Sequence, residues 1–158
     1  FGTCIHNYLA VHKWSSEGVY GEQNLRNAER VLSGFGIGEL ISAENLVKQA
    51  DTFFAYVERT YGNVNSVEHE IPFVNRKDGQ VISGEIDLYV KTETGKGILV
   101  DFKKPMARKD VAEQTLKEKA LKYWPQLDMY RDALRLDGYS VDHVCIYYPM
   151  LGAVAKFQ

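Results

Sequence analysis

Two strand-like segments in the middle of the chain carry carboxylates among apolar residues, and this feature constrains the fold most. The first segment spans 83–90 with the sequence SGEIDLYV, and the second spans 98–103 with the sequence ILVDFK. The polar, glycine-containing segment between them predicts a hairpin turn centred near Thr94. In that register Asp87 lies opposite Asp101, with their Cβ atoms about 4.5–5.5 Å apart.

Side-chain alternation along the strands then predicts which residues share a face. Asp101 and Lys103 should point to one side of the sheet, and Glu85 should share the side of Asp87. The opposite side is expected to hold core residues: Ile86, Leu88, Val100 and Phe102. Two carboxylates are therefore predicted to meet beside a lysine, and a slip of one residue in the register would separate them.

This arrangement indicates a metal site, because like charges that face each other directly destabilise a sheet. Carboxylate oxygens suit Mg²⁺, which typically keeps water and substrate phosphate as its other ligands. Lys103 could then position the attacking water or neutralise charge in the transition state. An Asp-x-Lys strand is more often a solvated surface, but the otherwise apolar run at 98–100 favours a functional site here.

The remaining patterns predict an α/β domain with a mixed sheet and helices packed on it. Helices are expected at 1–14, 23–32, 42–61 and 116–136, and strands at 67–74, 81–90, 98–103, 144–148 and 153–157. Ser42 is expected to cap the third helix. Pro125 should kink the last helix or start a new one. Asp78 and Gly79 should form the turn between the first two strands.

Length and composition indicate a single domain over 158 residues, with no apolar run of the roughly 20 residues that a membrane helix needs. Cys4 and Cys145 are too few for a disulfide framework or a four-cysteine metal site, so a reducing cytoplasm is expected. We find no basic leader at the start, and the first residue, Phe1, predicts that the chain is a fragment of a larger protein.

The net charge of −2 argues against tight autonomous binding to nucleic acid, which usually requires a basic footprint. It remains compatible with a catalytic module that receives its substrate from a larger partner and holds phosphate through metal ions.

The hairpin residues resemble a known family. Gly84-Glu85-Ile86-Asp87, followed by Asp101-Phe102-Lys103, is similar to the G-x-I-D and D-x-K motifs of the PD-(D/E)XK nuclease superfamily. More narrowly, it resembles the C-terminal nuclease domain of RecB- and AddA-type helicase–nucleases. Three further segments resemble that group's G-T-x-x-H, E-x-P-F and Q-L-x-x-Y motifs, at 2–6, 70–73 and 126–130.

The resemblance implies a restriction-endonuclease-like fold, with a central mixed sheet flanked by helices, and a set of site residues. It implies that His6, Asp87 and Asp101 bind the metal together with the backbone carbonyl of Phe102. Lys103 would be the catalytic lysine.

The resemblance also implies that Gln126 and Tyr130 support the substrate or the lysine. The usual Tyr-Lys-Thr is replaced by Phe102-Lys103-Lys104, and the four cysteines that hold an iron–sulfur cluster in some relatives are absent, so no cluster is expected.

Outside the hairpin, several residues have two possible interpretations. In isolation His6 would be an ordinary helix histidine, and Gln126 and Tyr130, four apart, an ordinary packing pair. Glu70 could be an outer-shell carboxylate or an exposed strand residue. His12 is expected to be structural. A group of basic residues could be solvated or could touch DNA phosphate: Lys104, Arg108, Lys109, Lys117, Lys119 and Lys122.

Taken together, these patterns predict a Mg²⁺-dependent deoxyribonuclease in which Mn²⁺ can substitute for Mg²⁺. We expect an exonuclease that acts on single strands or ends in DNA end processing and recombinational repair, with a helicase motor as its partner. One alternative is a catalytically inactive module of the same fold that binds DNA or acts as a scaffold. Another is an unrelated α/β binding domain whose carboxylate pair is a surface accident.

Overall fold

The computed structural model describes residues 2–103, 113–149 and 152–157, and for 113–116 it describes the backbone only. In chain order the elements are α1 (Gly2–Leu9), α2 (Gly21–Phe35), α3 (Ala43–Tyr61), β1 (Val64–Lys77), β2 (Gln80–Thr92), β3 (Gly97–Phe102), α4 (Glu113–Leu121), α5 (Trp124–Leu136), β4 (His143–Tyr148) and β5 (Ala153–Lys156). The chain divides into two compact units, Phe1–Thr60 and Tyr61–Gln158.

In the first unit, α1 is shorter than the sequence predicts: it ends at Leu9 instead of near residue 14. The reason is the buried side chain of Asn24, whose Oδ1 accepts a hydrogen bond from the Lys13 backbone N–H at 2.9 Å. The Asn24 amide also donates to the Lys13 carbonyl at 2.7 Å. Both backbone polar groups of Lys13 are thus satisfied outside a helix, and the helix does not need to continue.

His12 is buried in the same unit and forms hydrogen bonds on both sides of its ring. The Tyr8 hydroxyl lies 2.5 Å from Nδ1, and Asp51 Oδ1 lies 2.9 Å from Nε2. The ring also stacks on Phe54, with 5.7 Å between centroids. These contacts tie the chain after α1 to α3 and support the structural role expected of His12. The predicted cap of α3 is also confirmed, because Ser42 Oγ accepts from the Asn45 N–H at 3.2 Å.

The second unit contains one five-stranded sheet in the order β1-β2-β3-β4-β5. Strand β3 pairs in parallel with β4, and the other neighbouring pairs are antiparallel. The predicted mixed sheet is therefore confirmed, as is the tight turn between β1 and β2. Asp78 and Gly79 both adopt left-handed backbone angles there, with φ of 53° and 77°.

Two helices replace the single long helix expected over 116–136. Helix α4 ends at Leu121, and α5 begins at Trp124 with Pro125 in its first turn, so the alternative of a new helix at the proline is the observed one. Leu127 and Leu134 of α5 pack in a buried cluster with Leu99 of β3 and Ile146 of β4. Helix α5 therefore covers the sheet face on which Leu99, and two residues later Asp101, are found.

The start of β3 is fixed by a close approach of two backbone segments at Gly97. Its N–H donates to Asp142 Oδ2 at 2.9 Å, and its carbonyl accepts from the Asp142 N–H at 2.8 Å. A Cβ atom at this position would overlap the carbonyl oxygen of Ser140, so only glycine fits. This anchor sets where β3 begins and so which residues lie at its other end.

Among the described residues, no helix has both the length and the apolar character needed to cross a membrane.

Candidate active site

The site begins where the β2–β3 ladder ends. The ladder pairs Leu88 with Val100, Tyr89 with Leu99 and Val90 with Ile98, and the numbers in each pair add up to 188. The register inferred from the sequence is therefore confirmed. The next positions are Asp87 and Asp101, where the backbone pairing stops.

At this end of the ladder a carboxylate takes the place of a backbone acceptor. Asp87 Oδ2 accepts a hydrogen bond from the Phe102 N–H at 2.7 Å. This contact holds the carboxylate of Asp87 against β3 and beside Asp101, a buried residue with 5% of its surface exposed.

The electrostatics of the pair reflect this proximity. Burial raises the pKa of Asp87 to about 8, and the hydrogen bond and charge of Asp101 act in the same direction. The Phe102 N–H and the charge of Lys103 oppose the increase in this pKa. At neutral pH and without metal, a proton on Asp87 therefore relieves the repulsion.

Lys103 follows on the same face as Asp101, as alternation predicts, and three groups surround its ammonium. Nζ lies 2.8 Å from Asp101 Oδ2, in an ion pair that is not aligned as a hydrogen bond. It donates to Gln126 Oε1 at 3.1 Å and lies 4.1 Å from the centre of the Tyr123 ring. Residues near the start of α5 therefore hold the lysine next to the carboxylates.

Tyr130 lies one helical turn after Gln126 and reaches the same place. Its ring packs against Phe73 of β1, with 4.9 Å between centroids. Burial raises the pKa of the Tyr130 phenol, and the charges of Asp101 and Asp87 raise it further, so the phenol lies near both carboxylates.

The structure thus brings together five residues that the sequence singled out: Asp87, Asp101, Lys103, Gln126 and Tyr130. Two tyrosines at the site were missed. The ring of Tyr123 lies under the lysine. Burial raises the pKa of Tyr148 most, and the charges of Tyr123 and then Asp101 raise it further, so Tyr148 lies near Asp101. Tyr123 could have been noticed because it precedes Gln126 by three residues.

Strand β1 is irregular opposite Asp87. The flanking pairs, His69 with Leu88 and Ile71 with Ile86, put Glu70 across from Asp87, and Glu70 has a left-handed φ of 48°. Residues other than glycine rarely adopt this conformation inside a strand. The side chain of Glu70 is exposed.

This irregularity corrects the prediction for Ile86, which was expected on the face opposite Asp87 together with Leu88. Ile86 instead belongs to the cluster under α5 that contains Ile71, Phe73 and Leu99. The departure from a count by twos from Leu88 occurs at the level where Glu70, in the neighbouring strand, has its left-handed φ. Phe102, also expected in the core, is only half-buried.

The chemistry of the donor set fits a hard divalent cation, because two adjacent carboxylates without a metal need a proton on one of them. Within residues 2–103, 113–149 and 152–157, no cluster of three or more His, Cys, Asp or Glu side chains is arranged to hold a metal ion. His6 lies in α1 and is half-buried. Its predicted role as a third ligand stays a prediction.

The predicted basic surface is described only in part. Lys117, Lys119 and Lys122 are exposed. Lys104, Arg108 and Lys109 lie outside the described residues.

Comparison with known proteins gives one family match. The model of the PD-(D/E)XK nuclease superfamily matches residues 1–153. Among solved structures, the crystal structure of SSO0001 is similar to this chain at 14% identity and a TM-score of 0.37, covering 98% of this chain and 74% of that one. No curated protein matches the chain.

The first prediction concerns the stability of the metal-free protein. The pKa of Asp87 is raised in the folded state, so its stabilising contribution is complete below the unfolded value near 4 and is lost as the pH rises through about 8. Asp87→Asn keeps an acceptor for the Phe102 N–H and removes the titration. In EDTA, we expect the melting temperature of the parent to fall more between pH 5 and pH 9 than the melting temperature of Asp87→Asn.

The same melting series contains its own check. At pH 9 the variant should be at least as stable as the parent, because the repulsion is gone. A marked fall in melting temperature for Asp87→Asn at pH 9 would assign Asp87 a structural role instead.

A second prediction separates the two interpretations of Glu70. Glycine adopts a φ of 48° without strain, so Glu70→Gly should leave the backbone opposite Asp87 intact and cost little stability. If the residue acts only through its backbone, the nuclease activity of Glu70→Gly will equal that of the parent. A loss of activity with an unchanged melting temperature would assign the carboxylate an outer-shell role. Asp78→Gly, at the other left-handed non-glycine residue, is the matched control.

Proposed function

We propose that this chain, which belongs to the PD-(D/E)XK nuclease superfamily, is a metal-dependent deoxyribonuclease that hydrolyses phosphodiester bonds. Nuclease activity is the general property that the family supports. The observation that carries the proposal is the cluster of Asp87, Asp101 and Lys103 at the end of the β2–β3 ladder.

The two carboxylates are the proposed metal ligands, together with the Phe102 carbonyl and His6. Oxygen donors suit Mg²⁺, and Mn²⁺ accepts the same set with greater tolerance of an imidazole. When bound, such an ion supplies Lewis-acid polarisation of the phosphate and a more acidic water. Asp87 must give up its proton before it can act as a ligand, because its pKa is raised to about 8.

Lys103 is the group that we propose stabilises the transition state. Its ammonium is held beside the carboxylates by Gln126 and Tyr123 and keeps part of its surface accessible, at 19% exposure. From that position it can orient a water molecule or neutralise charge that develops on the phosphate. Gln126 and Tyr130 would then position the lysine and the substrate.

The finer part of the proposal is an exonuclease in DNA end processing and recombinational repair, with a helicase motor as partner. It is supported by the resemblance of the motifs at 2–6, 70–73, 84–87, 101–103 and 126–130 to RecB- and AddA-type nucleases. The net charge of −2 agrees with a module that receives its DNA from another domain or subunit.

The third prediction tests the catalytic cluster. Asp101→Asn and Lys103→Met should each lower the rate of DNA cleavage with Mg²⁺ by about 100-fold or more, because each removes a charge at the reacting centre. Asp132→Asn, at an exposed carboxylate of α5, should cleave at the parent rate. Circular dichroism would show whether each variant is folded.

Near-normal cleavage by a folded Asp101→Asn or Lys103→Met variant would contradict the mechanism. Absence of metal-dependent cleavage in the parent, on single-stranded and duplex DNA alike, would favour the binding or scaffolding module. RNA of the same sequence, run in parallel, tests the restriction to DNA.

The fourth prediction concerns His6. If this residue completes the metal site, His6→Gln should weaken Mn²⁺ binding about tenfold or more in a calorimetric titration and reduce cleavage with both metals. His143→Gln, at another half-buried histidine, is the matched control and should bind Mn²⁺ like the parent. Equal Mn²⁺ affinities for the parent and His6→Gln would remove His6 from the site.

A further inference from the structure

A groove of about 540 Å³ lies in the second unit between α4 and the edge strand β5. Its walls are mostly apolar and include Leu121, Tyr148, Val154 and Phe157. Leu121 is 63% exposed, although it is a large aliphatic residue. A groove of this volume is large enough for a small planar ligand or part of a polymer.

The charges at the groove are positive. Lys117 and Lys156 both line it, and no carboxylate is among the described residues of its walls. An occupant with an apolar flat part and an anionic part therefore fits better than a cationic or purely apolar one. A nucleotide has this combination of a base and a phosphate.

The groove also adjoins the catalytic cluster through the sheet. Phe102 pairs with Tyr147, so the same parallel register places Lys103 beside Tyr148. Tyr148 in turn pairs with Ala153 of β5, which lines the groove. The distance from β3 to β5 is two strand spacings, which amount to about 10 Å. A nucleotide next to the cleaved phosphate can span that distance.

Aromatic groups extend along this path. Trp124 stacks on Phe157 of the groove wall, with 5.2 Å between centroids, and Tyr123 is 38% exposed under Lys103. The buried hydroxyl of Tyr148 has no hydrogen-bond partner among the described residues, so the polar edge of a base could supply one. Stacking on aromatic residues beside lysines is how proteins hold unpaired strands without reading their sequence.

We infer that this groove is a nucleobase subsite that binds one unpaired base adjoining the scissile phosphate. A base inserted between a helix and a strand edge cannot remain paired, so the strand enters the catalytic centre single-stranded. The inference rests on the proposed nuclease function for its role in catalysis, but the groove can be tested by binding alone.

The test compares two labelled ten-unit oligomers in EDTA by fluorescence anisotropy: oligothymidylate, and a tetrahydrofuran-spacer oligomer with the same phosphates and no bases. The parent should bind oligothymidylate about tenfold more tightly, because base stacking contributes this much. Leu121→Gln should reduce that preference about fivefold. Leu136→Gln, at a leucine of α5 that is more exposed and lies outside the groove, should retain it. Lys156→Gln should weaken the binding of both oligomers to the same extent, and Lys91→Gln should weaken the binding of neither.

Equal binding of the two oligomers by the parent, or an unchanged preference in Leu121→Gln, would overturn the subsite and leave the groove to another occupant such as a protein partner. Hydrolysis of the tetrahydrofuran-spacer oligomer with Mn²⁺, measured on the same proteins, reports the proposed function separately because this polymer has phosphodiester bonds and no base. Leu121→Gln should hydrolyse it at the parent rate. Base-dependent binding without any hydrolysis would support the groove and contradict the nuclease.

Discussion

The electrostatic balance between two adjacent carboxylates and one lysine is the constraint on which the rest of this structure depends. Asp101 is buried, and Asp87 is held against β3 by the Phe102 N–H, so neither can move away from the other without losing a contact. Lys103 supplies one positive charge for two potential negative ones. The remaining negative charge requires either a proton, as the raised pKa of Asp87 indicates, or a cation. The proposed metal would therefore replace a proton when it binds, and residues near the start of α5 hold the lysine in place.

The sheet departs from regular geometry at the position where this balance is set. A regular ladder would give the Phe102 N–H a backbone acceptor, but here it donates to the side chain of Asp87. The left-handed φ of Glu70 opposite Asp87 disturbs the neighbouring strand at the same level. Backbone strain of this kind persists where surrounding structure holds it, and it commonly lies at functional sites. Two irregularities on adjacent strands therefore lie at the level of the carboxylate pair, where the register places Asp87 opposite Asp101.

Much of the site could be predicted because it is encoded locally. One turn and two alternating strands fix the positions of Asp87, Asp101 and Lys103 relative to one another. Four-residue spacing puts Gln126 and Tyr130 on one helix face, but their place at the site was expected only from the family resemblance. The errors have non-local causes. Helix α1 ends early because Asn24, from a different helix, captures the backbone of Lys13. Ile86 lies in the cluster under α5 at the level of the irregular residue Glu70, which strand alternation alone does not predict. Tyr148 was missed because it reaches the site through a parallel pairing of β3 with β4, which no turn specifies.

The acidic net charge of the chain limits the kinds of contact by which it could bind a nucleic acid. A protein of charge −2 gains little long-range attraction for a polyanion, so the proposed affinity for a nucleic acid would have to come from short-range contacts. Lys103 at the reacting centre is accompanied by two described lysines in the groove wall, Lys117 and Lys156. Aromatic rings lie near them: Tyr123, Trp124, Tyr148 and Phe157. Binding dominated by stacking depends less on ionic strength than binding dominated by phosphate contacts. Such a surface suits a module whose substrate strand is delivered to it, since it needs to hold a strand in place and does not need to attract one from a distance.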